Sequence, residues 1–337
     1  MKKITLSILV GFLMLPLTAQ NRASWMLEAK WGVMIHYQPI ALAADNQMDE
    51  ITIEKWNELI DNFDCDKLAK QLSDVGAGYL IITVRHVPPF FLSPNATYDR
   101  YTNQEPSRCS TRDLIADLSQ AFKKYGIKLI TYIAIHAPGQ NEAELNGFAL
   151  ERAEYYKSGS FERNPEALLR WQEVIREYSL RWGEDVAGWW FDGCYRPNTN
   201  YRYPDEPNFK SVAEAARAGN PNRILSFNPG RFPRIMSITS HEDYTAGEIN
   251  DLERIQWSYH HDGMIDGKQM HILSYLGKTW GMGDPRFSDE QVVEYSREIN
   301  EVGGAVTWDV PPGLDGTFSD DFMEQLLTIG EALGTIK

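Results

Sequence analysis

Short apolar runs alternate with helical stretches from one end of the chain to the other, and this alternation constrains the fold most. Strands separated by amphipathic helices pair in parallel, because each helix carries the chain back to the start of the next strand. We count about eight such units, the number found in a (β/α)8 barrel of the TIM type. We therefore predict a single α/β barrel domain over residues 20–337, with no C-terminal β-sandwich. The predicted strands are residues 31–37, 79–85, 128–135, 188–192, 223–228, a weak one ending at 244–248, 271–275 and 305–310.

The segments between these strands carry helix signals at their first residues. Asn164-Pro165 can cap and open one helix, Ser288 with Gln291 forms a capping-box pattern, and Ser319 precedes the last helix. We interpret the apolar stripes that follow as packing faces. In the last helix the stripe consists of Phe322, Leu326, Ile329 and Leu333.

The first 19 residues have the three parts of a secretory signal. Lys2 and Lys3 precede an apolar run over residues 4–17, and Thr18-Ala19 supplies the small residues of a cleavage site. The run is too short to span a bilayer comfortably, and no later stretch is apolar enough to do so. We predict cleavage after Ala19 and a soluble protein exported to the periplasm or the medium.

The chain is acidic, with a formal net charge of -14 that becomes -16 when Lys2 and Lys3 leave with the signal. Such a surface repels nucleic acid and anionic membranes, so we expect neither as a partner and favour a neutral substrate. The three cysteines, Cys65, Cys109 and Cys194, lack metal-ligand spacing and allow at most one disulfide. We interpret them as mostly buried thiols.

One strand ends on a carboxylate. The run Val186-Ala187-Gly188-Trp189-Trp190-Phe191 is followed by Asp192-Gly193, which puts Asp192 at the carboxyl end of a buried strand. Barrel enzymes carry their catalytic residues at this end, so Asp192 is the first catalytic candidate. The alternative is that Asp192 only caps the turn before Gly193.

Histidines follow the first three predicted strands. His36, His86 and His136 would gather on one rim, where histidine binds substrate, transfers protons or ligates metal. The first strand lacks the His-x-His pattern of metal-dependent barrel hydrolases, so we predict no metal. Each rim histidine could bind substrate or instead satisfy a loop carbonyl, and we interpret His136 as the structural one of the three.

Several further acids have predicted rim positions. Cleavage of a glycosidic bond needs two carboxyl groups, one to attack or activate water and one to protonate the leaving group. Glu248 follows a small-residue turn on the far side of the barrel from Asp192, and Glu242 is its nearby rival. Each could instead be an ordinary loop acid.

Aromatic residues are abundant, with 10 tryptophans and 16 tyrosines. Sugar rings have apolar faces that stack on aromatic side chains, so an aromatic rim suits a neutral oligosaccharide or polysaccharide. The aromatic residues predicted on rim segments are Tyr37, Trp190, Trp257, Trp280 and Trp308.

An ordered set of motifs resembles glycoside hydrolase family 29, the α-L-fucosidases. Gly32-Val33-Met34-Ile35-His36-Tyr37 resembles the family's first strand, and Trp190-Phe191-Asp192-Gly193 resembles its nucleophile segment. Residues 77–86, 110–114 with 125–128, and 303–317 resemble further segments in the same order, so the resemblance covers the chain from about residue 30 to its end.

The resemblance implies a retaining, exo-acting glycosidase without cofactor, which removes a terminal α-L-fucosyl or related α-linked sugar. Asp192 would attack the anomeric carbon and a glutamate, Glu248 by its context, would protonate the departing oxygen. His36 and His86 would bind sugar hydroxyls, and Trp190 would lie beside the nucleophile.

The chain departs from the family pattern at specific positions. Val87 replaces the second histidine of a His-His pair, Pro88-Pro89-Phe90 follows it, and Asp309 replaces the asparagine of the closing motif. Losing a hydroxyl-binding group changes which sugar fits. Two other functions stay open: a carbohydrate-binding relative without turnover, and a metal-dependent hydrolase that uses the rim histidines.

Overall fold

A computed structural model describes residues 21–86, 90–151, 163–195 and 200–336, where strands and helices alternate as predicted. The predicted signal, residues 1–19, lies outside the described residues. The strands are β1 (Trp31–Ile35), β2 (Tyr79–Arg85), β3 (Lys128–Ala134), β4 (Gly188–Asp192), β5 (Ile224–Phe227), β6 (Met264–Ile265), β7 (Lys268–Gln269), β8 (His271–Tyr275) and β9 (Ala305–Asp309). The helices are α1 (Ser24–Ala29), α2 (Pro39–Asp45), α3 (Ile53–Asp61), α4 (Cys65–Asp74), α5 (Ala96–Thr102), α6 (Leu114–Lys123), α7 (Glu142–Gly147), α8 (Pro165–Trp182), α9 (Phe209–Ala216), α10 (Asp289–Glu301) and α11 (Asp320–Leu333).

Seven of the strands form one parallel sheet in the order β5-β4-β3-β2-β1-β9-β8. The first and the last strand of the chain are neighbours, with Trp31 paired to Val306, so the sheet joins the two ends of the sequence. β6 and β7 form a separate antiparallel hairpin. The predicted α/β class with a parallel sheet is therefore confirmed.

Alternation along the strands sorts side chains onto two faces of the curled sheet. One set packs inside the curl: Met34 on β1, Ile81 on β2, Ile130 on β3, Trp190 on β4 and Leu273 on β8. The alternate residues of the strands pack outward in a second cluster, among them Val33, Ile82, Trp189, Phe227 and Trp308. A residue that keeps the inward orientation past the last residue of its strand therefore lies at the mouth of the sheet.

A bulge in β2 changes this alternation. Thr83 pairs with Tyr132, but Arg85 pairs with Ile133, so Val84 is one residue extra. An inserted residue reverses the faces that follow it. His86 consequently enters the mouth of the sheet, where strict alternation would have turned it outward.

The predicted strand at 244–248 is not a regular strand, so the eight-stranded barrel is confirmed only as a seven-stranded parallel sheet. Residues 243–249 lie between the edge strands β5 and β8 and make isolated bridges, including Glu248 with Leu273. The Thr245 hydroxyl takes the place of a backbone partner, accepting from the His271 N–H at 2.9 Å and donating to its C=O at 2.8 Å. Gly247 has φ +73°, and a Cβ there would lie 2.0 Å from that carbonyl oxygen.

The predicted helix starts agree with the structure. The Asn164 side chain caps α8 with Pro165 as the first helical residue, and Ser288 with Gln291 forms the capping box of α10. Ser319 precedes α11 without a side-chain cap, and the predicted stripe of that helix is buried. The three cysteines are buried and free. None of the helices in the described ranges is long and apolar enough to span a membrane.

Candidate active site

The carboxyl ends of the strands enclose a pocket of about 180 Å³. Five residues predicted for the site line it: His36, His86, Trp190, Glu248 and Trp280. They come from different parts of the sequence and meet here because the parallel strands end on one edge. Gln38, Tyr132 and Tyr195 also line the pocket.

Asp192 ends β4 beside this pocket and accepts four hydrogen bonds. The Tyr132 hydroxyl donates to Oδ2 at 2.8 Å, and His86 Nε2 lies 3.0 Å from the same oxygen. Asn228 Nδ2 donates to Oδ1 at 2.8 Å and the Tyr195 hydroxyl at 3.3 Å. Burial raises the pKa of Asp192, but the His86, Tyr132 and Asn228 contacts outweigh burial and lower it to about 2. The carboxyl group is therefore ionised and fixed in orientation.

Asn228 joins two carboxyl groups. Its Nδ2 donates to Asp192 Oδ1 at 2.8 Å and to Glu248 Oε2 at 2.5 Å, while its Oδ1 accepts from the Gly230 N–H at 3.0 Å. The Gly230 bond fixes which end of the amide faces the acids. Because both acid oxygens touch one nitrogen, they lie no farther apart than the two bonds laid end to end, about 5.3 Å.

Glu248 has the opposite electrostatic environment to Asp192. Burial raises its pKa, the Asn228 hydrogen bond lowers it, and the nearby Asp192 charge raises it again, with a raised pKa as the net result. The pKa values of the two neighbouring carboxyl groups are thus shifted in opposite directions from their usual values, downward for Asp192 and upward for Glu248. This division suits one ionised group and one proton donor.

His36 lines the pocket and is held from behind by Asp309. His36 Nδ1 lies 2.7 Å from Asp309 Oδ1, and the Gly281 N–H donates to Oδ2 at 2.6 Å. Burial lowers the pKa of His36, but the carboxylates of Asp309, Asp192 and Glu248 outweigh burial and raise it.

His86, predicted to bind a sugar hydroxyl, lines the pocket and contacts protein groups through its ring nitrogens. Its Nε2 contacts Asp192, and its Nδ1 lies 3.3 Å from the Gln38 side-chain oxygen. Both ring nitrogens therefore have protein partners, and the ring orients the Asp192 carboxylate. The replaced positions Val87 and Pro88-Pro89 lie outside the described residues.

The structure places Tyr37 and Trp308, both predicted to bind substrate, away from the pocket. Tyr37 is 1 % exposed, packs on Phe63, and donates its hydroxyl to the Leu314 carbonyl. Trp308 is fully buried and donates to the Ser296 hydroxyl. Both side chains belong to the outward-facing set of their strands, so they pack under helices and cannot reach the pocket. Trp257, also predicted on the rim, is buried against Tyr295.

Two of the remaining predicted residues also lie away from the pocket. Glu242 is buried, and its Oε1 accepts from the Ile238 N–H at 3.2 Å. His136 contacts the Gly193 carbonyl at 2.8 Å and the Tyr201 hydroxyl at 3.2 Å, in keeping with a structural role. In the part of the chain that the structure describes, no three His, Cys, Asp or Glu side chains form a group that could hold a metal ion.

Four polar residues of the site were missed by the sequence analysis, namely Gln38, Tyr132, Tyr195 and Asn228. Tyr132 stands in an apolar strand and reads as core, and Tyr195 follows Asp192 in a loop. Asn228 was placed at the end of a predicted strand, but only acids, histidines and aromatic residues were considered at such ends. Position at a strand's carboxyl end was thus the available signal for Asn228.

A small aromatic-lined pocket lies at the mouth of a parallel sheet, and beside it a carboxylate of lowered pKa and a carboxyl group of raised pKa have oxygens no farther apart than about 5.3 Å. This is the arrangement of a glycosidase site. The family model described as alpha-L-fucosidase matches residues 52–335. The chain belongs to this family.

Solved structures of low sequence identity share the fold. An endo-fucoidan hydrolase, MfFcnA9 from glycoside hydrolase family 107, superposes with a TM-score of 0.70 at 17 % identity, covering 93 % of this chain and 64 % of its own. The α-L-fucosidase AlfC from Lactobacillus casei, in complex with its α-L-fucose product, gives a TM-score of 0.62 at 15 % identity, covering 93 % and 98 %. The chain therefore spans less than two thirds of the first structure and nearly all of the second. No curated protein sequence matches significantly.

Proposed function

We propose that the protein is a retaining, exo-acting glycoside hydrolase that removes a terminal α-L-fucosyl or related α-linked sugar from a glycan. The observation that carries the proposal is the pair Asp192 and Glu248 on one Asn228 amide. Carboxyl groups of retaining enzymes lie about 5 to 5.5 Å apart, whereas inverting enzymes need roughly 6.5 to 9.5 Å to admit a water. The bound of about 5.3 Å between the facing oxygens supports the retaining assignment.

The proposed reaction has two steps. The Asp192 carboxylate attacks the anomeric carbon while Glu248 gives its proton to the glycosidic oxygen, so the aglycone leaves as a neutral alcohol. Glu248, now ionised, takes a proton from water, and the water oxygen displaces Asp192 from the sugar. The low pKa of Asp192 and the raised pKa of Glu248 match the protonation states that the first step requires.

Exo action is supported by the size of the pocket. A cavity of about 180 Å³ is smaller than the roughly 300 to 1,000 Å³ of sites that hold drug-sized ligands. It suits one sugar ring better than the interior of a polysaccharide. The two structural neighbours differ in this respect, since one is named an endo-fucoidan hydrolase and the other an α-L-fucosidase.

Covalent trapping tests the nucleophile. The protein is treated with an activated α-L-fucoside that carries fluorine at carbon 2, and the labelled peptide is mapped by mass spectrometry. We expect the label on Asp192, and NMR of early product should show the α-anomer first. A label on another residue, or the β-anomer first, would refute the mechanism.

The proton donor is tested by a matched pair of variants on an aryl α-L-fucoside. Glu248→Gln should lower kcat/KM by about 10² to 10⁴-fold, the usual contribution of general acid catalysis, and the loss should shrink with better leaving groups. Glu242→Gln changes the neighbouring buried acid and should leave kcat/KM near that of the wild type. The opposite ranking would assign the proton donor to Glu242.

We also propose export, with cleavage after Ala19 and the catalytic domain over residues 20–337 folding as one barrel in which residues 243–249 fill the eighth strand position. The charged, apolar and small-residue parts of residues 1–19 support export. N-terminal sequencing of protein recovered from the periplasm of an expression host should begin at Gln20. Val10→Asp, which places a charge inside the apolar run, should keep the protein uncleaved in the cytoplasm.

A further inference from the structure

Asp309 is a fully buried carboxylate behind the wall of the pocket. It ends β9, and each of its two oxygens receives one N–H donor. Oδ1 lies 2.7 Å from His36 Nδ1, and Oδ2 accepts from the Gly281 backbone N–H at 2.6 Å. The side chain therefore ties the end of β1 to the loop that follows β8.

A carboxylate at this position accepts from both donors at once. An asparagine side chain has one acceptor oxygen and one NH2 group, so it can accept from His36 or from Gly281 but not from both. With its oxygen on the Gly281 N–H, its NH2 would face His36 Nδ1, which could then only accept, with its proton moved to Nε2.

One partner of Asp309, His36, lines the pocket, and the other, Gly281, follows the lining residue Trp280. Gly281 packs so closely on His36 that a Cβ at residue 281 would lie 2.6 Å from the His36 Cβ. Trp280, the preceding residue, has its ring 5.8 Å from the His36 ring and 4.7 Å from that of Tyr275. The preceding loop residues Lys278 and Thr279 are exposed, whereas Gly281 is buried.

The contact with Asp309 also determines which ring nitrogen of His36 is available to a ligand in the pocket. Nδ1 carries a proton toward the carboxylate, and Nε2 has no partner among the described residues. Nε2 is thus the atom that meets a ligand hydroxyl beside the Trp280 ring.

Resting on the proposed function, we propose that Asp309 is a specificity-determining positioning residue. Its carboxylate clamps His36 and the Trp280-Gly281 backbone together, so that one imidazole nitrogen and one aromatic face meet the same sugar ring at a fixed spacing. The ligand class is a monosaccharide unit with a hydroxyl at the edge of an apolar ring face.

Charged and titratable groups surround His36 on every side. Asp309 faces it from β9, Asp192 from β4 and Glu248 from the segment before β6, while the Tyr132 and His86 rings pack 5.5 and 6.0 Å away. Since Asp309 contacts His36 directly, removal of its charge should have the largest effect on protonation of the imidazole.

The test compares Asp309→Asn with a matched control. Asp262→Asn also neutralises an aspartate 3.2 Å from a histidine, His261, but both side chains are about 90 % exposed. Asparagine tolerates the φ of +48° at residue 262. NMR titration of labelled histidines, with His36 assigned through a His36→Gln variant, is combined with kcat and KM on an aryl α-L-fucoside.

We expect Asp309→Asn to lower the pKa of His36 by about one unit or more and to raise KM about tenfold or more, with a smaller change in kcat. Asp262→Asn should change neither quantity at the site. An unchanged His36 titration together with an unchanged KM would overturn the proposal. The titration of His36 does not depend on turnover. If the wild type hydrolyses no α-L-fucoside but the pKa of His36 still falls in Asp309→Asn, only the proposed function is refuted.

A wild-type measurement covers the case in which Asp309→Asn does not fold. A proton held between His36 Nδ1 and the carboxylate gives a downfield N–H resonance protected from exchange, and His36→Gln should remove it. Absence of that resonance in the wild type would also overturn the proposal.

Discussion

Replacing Glu242 by glutamine should stabilise the protein by an amount that grows with pH. The side chain is 2 % exposed, and its Oε2 has no hydrogen-bond partner among the described residues. Burial raises the pKa of Glu242 from 4.5 to about 8, although contacts with Ser237 and Ile238 lower it somewhat. The folded protein therefore keeps a proton that the unfolded chain has released.

The sign and size of the effect follow from this difference. Between pH 4.5 and about 8 the folded state binds more protons than the unfolded state, so stability falls as the pH rises. Each unit costs about 1.4 kcal/mol, which amounts to roughly 3 kcal/mol by pH 7. Glutamine has the same shape and no proton to release, so Glu242→Gln does not carry this cost.

Urea unfolding of the wild type and of Glu242→Gln at pH 5, 6, 7 and 8 measures the effect. We expect the difference in unfolding free energy to widen by about 1.4 kcal/mol per unit across this range. The slope is the decisive quantity, because a changed contact with Ile238 would shift all pH values equally. A difference that is constant with pH would refute the reasoning.

Three further outcomes are expected. Asn228→Ala removes a hydrogen-bond donor that lowers the pKa of both acids, so kcat/KM on an aryl α-L-fucoside should fall about 10 to 100-fold. The basic limb of the pH profile of kcat/KM should also move to higher pH, and a profile that overlays that of the wild type would contradict this. Gly247→Ala should lower the free energy of unfolding in urea by about 2 kcal/mol or more. The control Gly267→Ala, at a residue with a similar φ of +77° but open space around it, should lose less, and equal losses would exclude a steric clash at residue 247. Tyr37→Phe should lower the free energy of unfolding by about 1 kcal/mol and leave KM unchanged, whereas Trp280→Ala should raise KM. A raised KM for Tyr37→Phe would show that Tyr37 contributes to substrate binding.

Much of the fold could be predicted from the sequence because apolar strand runs and capped helices are local signals. The predicted range of residues 79–85 agrees fully with β2, and β4 likewise ends on Asp192. The segment around Gly247 was harder, because a side-chain hydroxyl and a left-handed glycine replace the regular ladder there. Such substitutions depend on neighbours that are distant in sequence.

The candidate site was predictable where strand ends and face alternation agree. Asp192 and Trp190 belong to the inward face of β4, and the same alternation would have excluded Tyr37 and Trp308. His86 reaches the pocket only because of the bulge at Val84, which periodicity alone does not reveal. The link from Asn228 to both acids depends on rotamers and cross-strand distances, so it needed coordinates.

Of the two acids proposed to react, only Asp192 stands on a strand that pairs with a neighbouring strand on both sides. The proposed proton donor, Glu248, lies in residues 243–249, which pair with the sheet only through isolated bridges and a threonine hydroxyl. Two neighbouring strands therefore fix the position of the attacking group, whereas the position of the proton donor depends on the few contacts of residues 243–249.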